Sequence, residues 1–383
     1  MNMDKPLKIV YCTPSLYIAG GVERVLSQKA NYFADVFGYD ITIILTDGKG
    51  KPFFYQLSDK IKVVNLDIGF DELWSYSFLG KILPYLRKQY VFRKRLAEEL
   101  MRIRPDITVS LLRREINFLS KIKDGSKKVG ELHVNRKNYR NFEASESNFV
   151  KNVFAKFWMS NLVAHLRALD RFVVLTEEDR LAWPEMRHVV SIPNSLPFFP
   201  SATSPLTARR VIAVGRYERQ KGFDLLIQAW AVVARQCPDW TLDVFGSGER
   251  EEYEALIEKL GIDRSRCRLN GPTGRIQEEY LRSSIFAFSS RFEGFGMALV
   301  EAMACGLAAV SFDCPCGPKD IINDGVDGVL VRNGDVDAFS QALIALIQDA
   351  GLRGRLALNA RKNVQRFRIE EIAKRWKSLF EQL

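Results

Sequence analysis

The chain has 383 residues, of which 47% are hydrophobic and 27% charged, and its formal net charge is +10. This length and composition predict two folded domains of ordinary size and exclude a disordered chain. The sequence has no run of about eighteen uncharged apolar residues, so no membrane-spanning helix is expected.

The positive charge lies almost entirely in the first half of the chain. Residues 1–200 contain 31 Lys and Arg against 22 Asp and Glu, a balance of +9, whereas the remainder contains 25 against 24. A basic half predicts an anionic partner, such as a membrane surface, a nucleic acid or an acidic substrate. No nucleic-acid recognition motif accompanies the charge, which disfavours the second of these.

The cysteines and histidines indicate neither disulfides nor a metal site. Six cysteines without disulfide-type spacing favour a reduced, cytoplasmic setting. Cys314 and Cys316 form one short pair with no second pair, and the three histidines are spread along the chain. This pattern is not typical of zinc ligands.

The first half opens with the pattern of a parallel α/β sheet. A buried strand is predicted over residues 7–16, then a glycine loop, a helix and a second strand over residues 39–48. The helix has apolar residues at helical spacing, namely Val22, Val25, Leu26 and Phe33. Further strands are predicted over residues 106–112, 127–133 and 171–176.

A segment rich in Pro, Ser and Thr over residues 191–210 is the best domain boundary, and the α/β pattern restarts after it. Strands are predicted over residues 210–215, 241–248, 266–271, 284–290, 308–313 and 328–331, with two helices in the tail. The first helix of this half has one apolar face, formed by Phe223, Leu226, Ile227, Trp230 and Val233. Each half is therefore predicted to be a doubly wound domain whose ligand lies at the carboxyl ends of the strands.

Two carboxylates surround a glycine loop late in the chain. Gly294 and Gly296 let the backbone approach a ligand closely, and the helix predicted from about Met297 offers N–H groups that attract phosphate. Glu301, one turn inside, suits a vicinal diol such as a ribose, and Glu293 suits hydroxyl groups of a second sugar. The alternative is that Glu301 only charges the helix start and Glu293 lies in solvent.

Three other loops have the composition of phosphate sites. Arg216 and Lys221 lie at a strand–loop–helix junction, where two cations suit a diphosphate or else form a solvated basic loop. Glycine pairs follow two predicted strands, at Gly20 and Gly21 and at Gly246 and Gly248, and each pair is a weak signal by itself.

Together these motifs resemble a retaining glycosyltransferase of family 4, with the GT-B fold. The resemblance covers nearly the whole chain and rests on residues 20–25, 215–230 and 292–322, the last carrying the two glutamates, separated by seven residues. It implies two Rossmann-like domains that face each other across a cleft, with C-terminal helices crossing back to the first domain. The implied bounds are 1–195 for an acceptor-side domain, 196–208 for a linker, 209–365 for the nucleotide-sugar-binding domain and 366–383 for a C-terminal helix on the first domain.

The resemblance also implies roles for individual residues. Glu301 would bind the nucleotide ribose, Glu293 the transferred sugar, and the backbone of residues 294–297 both sugar and phosphate. The residues implied in catalysis are Glu293, His133, Arg216 and Lys221. The residues implied in donor binding are Gly20, Gly21, Arg216, Lys221, Gly246, Gly271, Glu293, Gly294, Phe295, Gly296, Met297 and Glu301. For His133 a purely structural loop role, and for Asn194 a role only in shaping the boundary turn, are the alternatives.

We expect this reaction to need neither a metal nor another cofactor. Asp335 and Asp337 resemble the acidic pair that holds a metal in other glycosyltransferases, but their position predicts the start of a helix, with Asp335 as a cap. Arg216 and Lys221 would neutralise the leaving diphosphate instead. In this family retention is explained by front-face attack, in which a donor phosphate oxygen takes the acceptor proton.

The sequence thus predicts a cytoplasmic enzyme that moves a hexose or N-acetylhexosamine from a nucleotide diphosphate sugar, with UDP favoured, to a polysaccharide or lipid-linked oligosaccharide. A peripheral place on an anionic membrane is a further expectation, through the aromatic stretch of residues 149–169 or the basic stretch of residues 81–104. The alternatives are a core helix and a solvated helix face. Two alternative functions share the same fold: a nucleotide-sugar epimerase, which the scarcity of histidine disfavours, and a non-catalytic sugar-nucleotide-binding subunit, which the complete set of site residues disfavours.

Overall fold

A computed structural model of the protein describes residues 6–75, 77, 80, 82–139 and 160–383. The chain forms two compact units. The first consists of Met1–Leu175, Asp179–Ser195 and Ile369–Leu383, and the second of Thr176–Glu178 and Leu196–Arg368. The expectation of two Rossmann-like α/β domains is confirmed.

The first unit is built on a seven-stranded parallel sheet with the strand order β3-β2-β1-β4-β5-β6-β7. The strands are β1 Lys8–Thr13, β2 Asp40–Leu45, β3 Lys62–Asn65, β4 Ile107–Ser110, β5 Lys127–Glu131, β6 Arg171–Val174 and β7 Val189–Ser191. Strand β1 pairs in register with its neighbours β2 and β4, so that Ile9 lies opposite Ile41 on one side and Ile107 on the other. The sequence patterns missed β3 and β7, because these short strands are only partly buried and lack a continuous apolar run.

The second unit repeats the same winding with six parallel strands in the order β10-β9-β8-β11-β12-β13. They are β8 Arg210–Val214, β9 Thr241–Phe245, β10 Cys267–Asn270, β11 Ile285–Phe288, β12 Ala308–Asp313 and β13 Val329–Arg332. All six follow the predicted positions. In both sheets the strand order reverses beside the first strand of the unit, which creates a crevice at the carboxyl ends.

The helices connect the strands and cover the sheets. Their bounds are α1 Gly21–Asp35, α2 Ile82–Ile103, α3 over the described residues 160–167, α4 Glu177–Leu181, α5 Phe223–Gln236, α6 Glu251–Lys259, α7 Ile276–Leu281, α8 Met297–Ala304, α9 Pro318–Ile321, α10 Val336–Gln348, α11 Ala350–Asn363 and α12 Ile369–Glu381. The five apolar residues predicted on one face of α5 are all buried in the core of the second unit.

The end of the chain and the predicted linker each pack within one unit. Helix α12 lies against α1 in the first unit, where Phe380 and Phe33 meet edge to face with ring centroids 5.9 Å apart. Residues 196–208 pack on the second unit, where the Ser204 hydroxyl donates to the carbonyl of Ser283 at 2.5 Å. Residues 196–208 are therefore held against the second unit by direct contact and do not form a free linker.

Residues 149–159 of the aromatic stretch, including Phe154, Phe157 and Trp158, lie outside the described residues. Across the part of the chain that the structure covers, we find no helix with the length and apolar character needed to cross a bilayer.

Candidate active site

The crevice of the second unit lies between the loops that follow β8 and β11, since these two strands are neighbours in the sheet. The first loop runs over residues 215–222 and carries Arg216 and Lys221. The second runs over residues 289–296 and carries Glu293. The fold thus brings together, at the edge where α/β domains bind ligands, two motifs about seventy residues apart.

Direct hydrogen bonds hold these two loops together. The Ser289 hydroxyl donates to the Lys221 carbonyl at 2.8 Å, and the Arg291 amide donates to the Gln220 carbonyl at 2.8 Å. Gly222 permits this approach, because its φ is 62° and a Cβ there would lie 2.1 Å from the Ser289 carbonyl oxygen. The loops therefore form one firm platform.

On this platform Lys221 and Glu293 make a direct ion pair. The Lys221 Nζ lies 2.7 Å from the Glu293 Oε1, and their side chains are 18% and 8% exposed. The Ser290 hydroxyl donates to the same oxygen at 2.6 Å. The interpretation of Glu293 as a solvated carboxylate is therefore wrong, because the side chain is buried and oriented by two donors.

Glu301 lies on α8, as expected, but deeper than a simple helix-start position suggests. It is the fifth residue of the helix and only 3% exposed, and the Tyr280 hydroxyl donates to its Oε2 at 3.4 Å. Gly296, with φ of 108°, is the N-cap of α8. The alternative that Glu301 merely charges the helix start does not hold, since the side chain is part of a buried polar contact. Its proposed contact with a ribose stays a prediction.

The remaining predicted donor residues of this unit differ in their surroundings. Arg216 is exposed and pairs with Glu218 at 2.8 Å, so it is positioned loosely. The Phe295 ring is buried and packs edge to face on Phe367 at 5.3 Å, which leaves only its backbone for a ligand. Met297 is the first residue of α8. Gly294 lies in the loop after β11, beside Glu293.

Two predicted glycines at the strand ends have unlike roles. A Cβ at Gly246 would lie 1.7 Å from the carbonyl oxygen of Gly215, so this glycine is required where the loops after β9 and β8 touch. Gly271, after β10, is exposed, and a Cβ there would meet no atom within 4 Å. Packing between the two loops thus requires a glycine at position 246, and the roles of Gly246 and Gly271 toward the donor stay predictions.

Gly20, Gly21 and His133 belong to the first unit. Gly20 is the N-cap of α1 and Gly21 its first residue, directly after the loop that follows β1. His133 lies two residues beyond the end of β5, and its side chain is 6% exposed. Their roles toward the donor stay predictions.

His133 is part of a buried charged cluster that the sequence analysis missed. The Lys29 Nζ lies 2.5 Å from both carboxylate oxygens of Glu131, and the His133 Nε2 lies 3.3 Å from Oε1. The side chains of Lys29 and Glu131 are 3% and 2% exposed. The rings of Tyr11 and Trp376 flank the ammonium, with centroids at 5.4 and 4.1 Å.

The opposite charges of Lys29 and Glu131 each favour the ionised form of the other group. Burial by itself raises the pKa of the Glu131 carboxyl, but the positive charge of Lys29 and the neighbouring His133 outweigh it and hold that pKa at about 2. Burial likewise lowers the pKa of the Lys29 ammonium, against the opposing effect of Glu131. Glu131 therefore stays ionised beside His133 over the whole physiological range.

A signal for this cluster was present in the sequence. Lys29 follows Val25 by four residues and precedes Phe33 by four, so a lysine occupies the apolar face of a predicted helix. Glu131 ends β5 directly after Val129 and Gly130, at a position where the pattern predicts a buried strand. The pairing itself had no local signal, because the two residues are 102 positions apart.

The acidic pair that resembles a metal motif is a helix cap. Asp335 is the N-cap of α10, and its carboxylate accepts a hydrogen bond from the Ala338 amide at 2.9 Å, which confirms the prediction. Within the described ranges, no three His, Cys, Asp or Glu side chains are grouped as metal ligands would be.

Known proteins match the chain over both units. Residues 197–363 match the family "Glycosyl transferases group 1". An uncharacterized glycosyltransferase of Haemophilus influenzae is 29% identical over 97% of this chain and 99% of its own length. The protein is a glycosyltransferase with the GT-B fold.

Other relatives of this glycosyltransferase match a part of it. The amylovoran biosynthesis glycosyltransferase AmsD of Erwinia amylovora is 34% identical over 55% of this chain and 62% of its own length. The poly(ribitol-phosphate) alpha-N-acetylglucosaminyltransferase of Staphylococcus aureus is 25% identical over 67% of this chain and 51% of its own.

Solved structures share the glycosyltransferase fold over the whole chain. Sucrose-phosphate synthase from Thermosynechococcus elongatus superposes with a TM-score of 0.80 at 18% identity, covering 98% of each chain. A variant of TarM from S. aureus, solved with fondaparinux, alpha-GlcNAc-glycerol and UDP, superposes with a TM-score of 0.74 at 17% identity, covering 98% of this chain and 99% of its own.

Proposed function

We propose that the protein is a retaining glycosyltransferase of family 4 that moves a hexose or N-acetylhexosamine from a UDP-sugar to a polysaccharide or lipid-linked oligosaccharide, forming an α-linkage. The observation that carries this proposal is the Lys221–Glu293 pair, held between the loops after β8 and β11 at the reversal of the strand order. A cation and a carboxylate there suit the charged and the hydroxyl-bearing parts of a nucleotide sugar.

In this proposal Lys221 binds the donor diphosphate while it keeps its contact with Glu293. An ammonium has three N–H donors, so the bond to Glu293 is compatible with bonds to phosphate oxygens. Arg216 adds a second, exposed cation that can leave Glu218 for the diphosphate, since an exposed ion pair is worth only about 0–1 kcal/mol. Glu293 then accepts hydrogen bonds from the sugar hydroxyls, and Glu301 from the ribose.

The chemical step that we propose is a front-face displacement. The acceptor hydroxyl oxygen bonds to the anomeric carbon, the bond from that carbon to the diphosphate oxygen breaks, and a phosphate oxygen of the leaving UDP takes the proton. Lys221 and Arg216 stabilise the negative charge that develops on the leaving group. No protein nucleophile and no metal are needed for this balance.

The named partners of similar proteins support the choice of substrates. The solved TarM variant holds UDP and alpha-GlcNAc-glycerol, and the S. aureus relative is named for transfer of α-linked N-acetylglucosamine to poly(ribitol-phosphate). The AmsD relative is named for amylovoran biosynthesis.

Donor binding and transfer test the proposal in sequence. UDP, GDP and ADP are first compared by thermal shift, with and without EDTA. We expect a shift with UDP alone that survives EDTA. Next, Lys221→Ala should lower transfer of labelled sugar by about 10²–10³-fold, because a donor to the leaving group is lost. Arg219→Ala, an exposed cation in the same loop, is the matched control and should retain activity.

Two outcomes would contradict the proposal. A well-folded sample that shifts with no nucleotide would refute the donor site. A Lys221→Ala variant as active as the Arg219→Ala control would remove Lys221 from the mechanism. Glu301→Gln tests the ribose contact by its donor affinity, and its melting temperature must be measured too, since Glu301 contacts buried Tyr280.

A further inference from the structure

Helix α2 of the first unit has two apolar faces, and only one of them is buried. Phe92, Leu96 and Leu100 pack into the core of the unit. On another side of the helix, large apolar and aromatic side chains are exposed to solvent. They are Leu83, Leu86 and Tyr90, whose exposed fractions are 78%, 57% and 72%.

The outward residues form one stripe. Leu83, Leu86 and Tyr90 are spaced by three and four residues, so they lie above one another on a single side of the helix. Met101, 53% exposed, continues this side further along α2. Single exposed apolar residues are normal on a soluble protein, but an aligned set on one helix marks an interaction surface.

Cationic side chains border this stripe. Arg87, Arg93 and Lys94 are exposed on the same helix, which contains six Lys and Arg against two Glu. The stripe also lies in the half of the chain that holds a charge balance of +9. The surface therefore combines an apolar strip with positive charge.

This combination selects one kind of partner. At a bilayer interface, apolar side chains enter the boundary of the acyl chains while Lys and Arg contact anionic headgroups. A second copy of this chain would bring the same positive surface against itself, which is unfavourable. Nucleic acid would leave the leucines uncovered.

We propose that this surface of α2, formed by Leu83, Leu86, Tyr90, Arg87, Arg93 and Lys94, docks the protein on an anionic lipid bilayer. The docking surface is separate from the candidate donor site, which lies in the second unit. The proposal goes beyond the glycosyl transfer and stands or falls independently of it. It assigns membrane contact to the basic stretch of residues 81–104, which contains α2.

Vesicle flotation of the full chain tests the proposal. The vesicles are phosphatidylcholine alone and phosphatidylcholine with 30% phosphatidylglycerol, a composition chosen for roughly physiological anionic charge. We expect wild-type protein to float with the anionic vesicles only. The variant Arg87→Gln/Arg93→Gln/Lys94→Gln should bind them about 100-fold more weakly, since each cation near the surface is worth about fivefold. The variant Leu83→Ser/Leu86→Ser/Tyr90→Ser should lose about 10–100-fold.

Matched controls separate this surface from general charge and apolarity. For charge, the control is Arg264→Gln/Arg282→Gln/Lys374→Gln, whose side chains are each 67% exposed. For apolarity, the control is Leu181→Ser/Leu358→Ser, whose residues are 65% and 72% exposed. Both controls should float like wild type. Circular dichroism and donor thermal shift verify that every variant is folded.

Three results would overturn the proposal. The first is wild-type protein that stays away from both kinds of vesicle. The second is α2 variants that float as well as their controls. The third is a wild-type dimer in sedimentation that the serine variant turns into a monomer, which would make the surface an interface between copies. A donor shift that persists in any of these cases leaves the proposed enzyme activity standing.

Discussion

Replacing Lys29 by Met should destabilise the first unit strongly. Methionine can occupy the space between the Tyr11 and Trp376 rings, but it leaves the Glu131 carboxylate, 2% exposed, without its main counter-charge. Removing one partner of a buried ion pair costs about 3–5 kcal/mol, because the other charge stays buried. In a unit of this size that corresponds to a fall in melting temperature of roughly 6–20 °C.

A double-mutant cycle measures the pair itself. We expect Lys29→Met/Glu131→Gln to be less destabilised than the sum of the two single variants by at least about 2 kcal/mol, since the double variant buries no unpaired charge. The assay is urea unfolding at pH 7, followed by circular dichroism, with the transitions of the two units fitted separately.

The matched control is Lys127→Met. Lys127 begins the strand that Glu131 ends, and its pair with Asp170, at 3.3 Å, is 47% and 34% exposed on its two sides. Loss of such a pair should cost no more than about 1 kcal/mol. A Lys29→Met variant within about 1 kcal/mol of this control, or single-variant effects that simply add, would refute the reasoning.

Three further predictions concern pH, loop packing and metal removal. The pKa of Glu131 is about 2 in the folded chain and higher in the unfolded chain, so the stabilisation from its ionised form is complete above about pH 4.5 and is lost as the pH falls through 2. In acid unfolding, the difference in unfolding free energy between wild type and Glu131→Gln should therefore shrink by about 3 kcal/mol across this window. A difference that stays constant would contradict this prediction. Gly246→Ala should lower the free energy of unfolding of the second unit by about 1–3 kcal/mol, because the new Cβ meets the Gly215 carbonyl. The control Gly271→Ala, where a Cβ has open space, should change this free energy by less than about 0.5 kcal/mol. Equal urea midpoints for the two variants would be evidence against the packing role of Gly246. Glycosyl transfer should keep its rate after dialysis against EDTA, and activity that returns only on adding a divalent cation would show that Lys221 and Arg216 do not replace a metal.

Much of the fold was predictable because its signals are local. Each unit alternates strands with amphipathic helices, and the six strands of the second sheet were all predicted from the sequence. The edge strands β3 and β7 were not predicted, because short half-exposed segments have neither a continuous apolar run nor a clear alternation.

The candidate site, too, was predictable from the sequence only in part. The motif around Glu293 and the cations Arg216 and Lys221 could be recognised from residue types and glycine spacing. The direct contact between Lys221 and Glu293 depended on the neighbouring positions of β8 and β11 in the sheet, and the burial of Glu301 against Tyr280 depended on the packing of α7 and α8.

The sequence by itself determined the alternation of strands and helices, the loops that carry the donor motif and the surplus of positive charge in the first half, because each of these follows from neighbouring residues. Only the tertiary structure decided which charges meet and which apolar faces stay uncovered. Lys29 on α1 and Glu131 at the end of β5 pair across 102 positions, and Leu83, Leu86 and Tyr90 remain exposed because the core takes the other face of α2. Charge pairing and burial depend on distances in space, which a pattern along the chain does not contain.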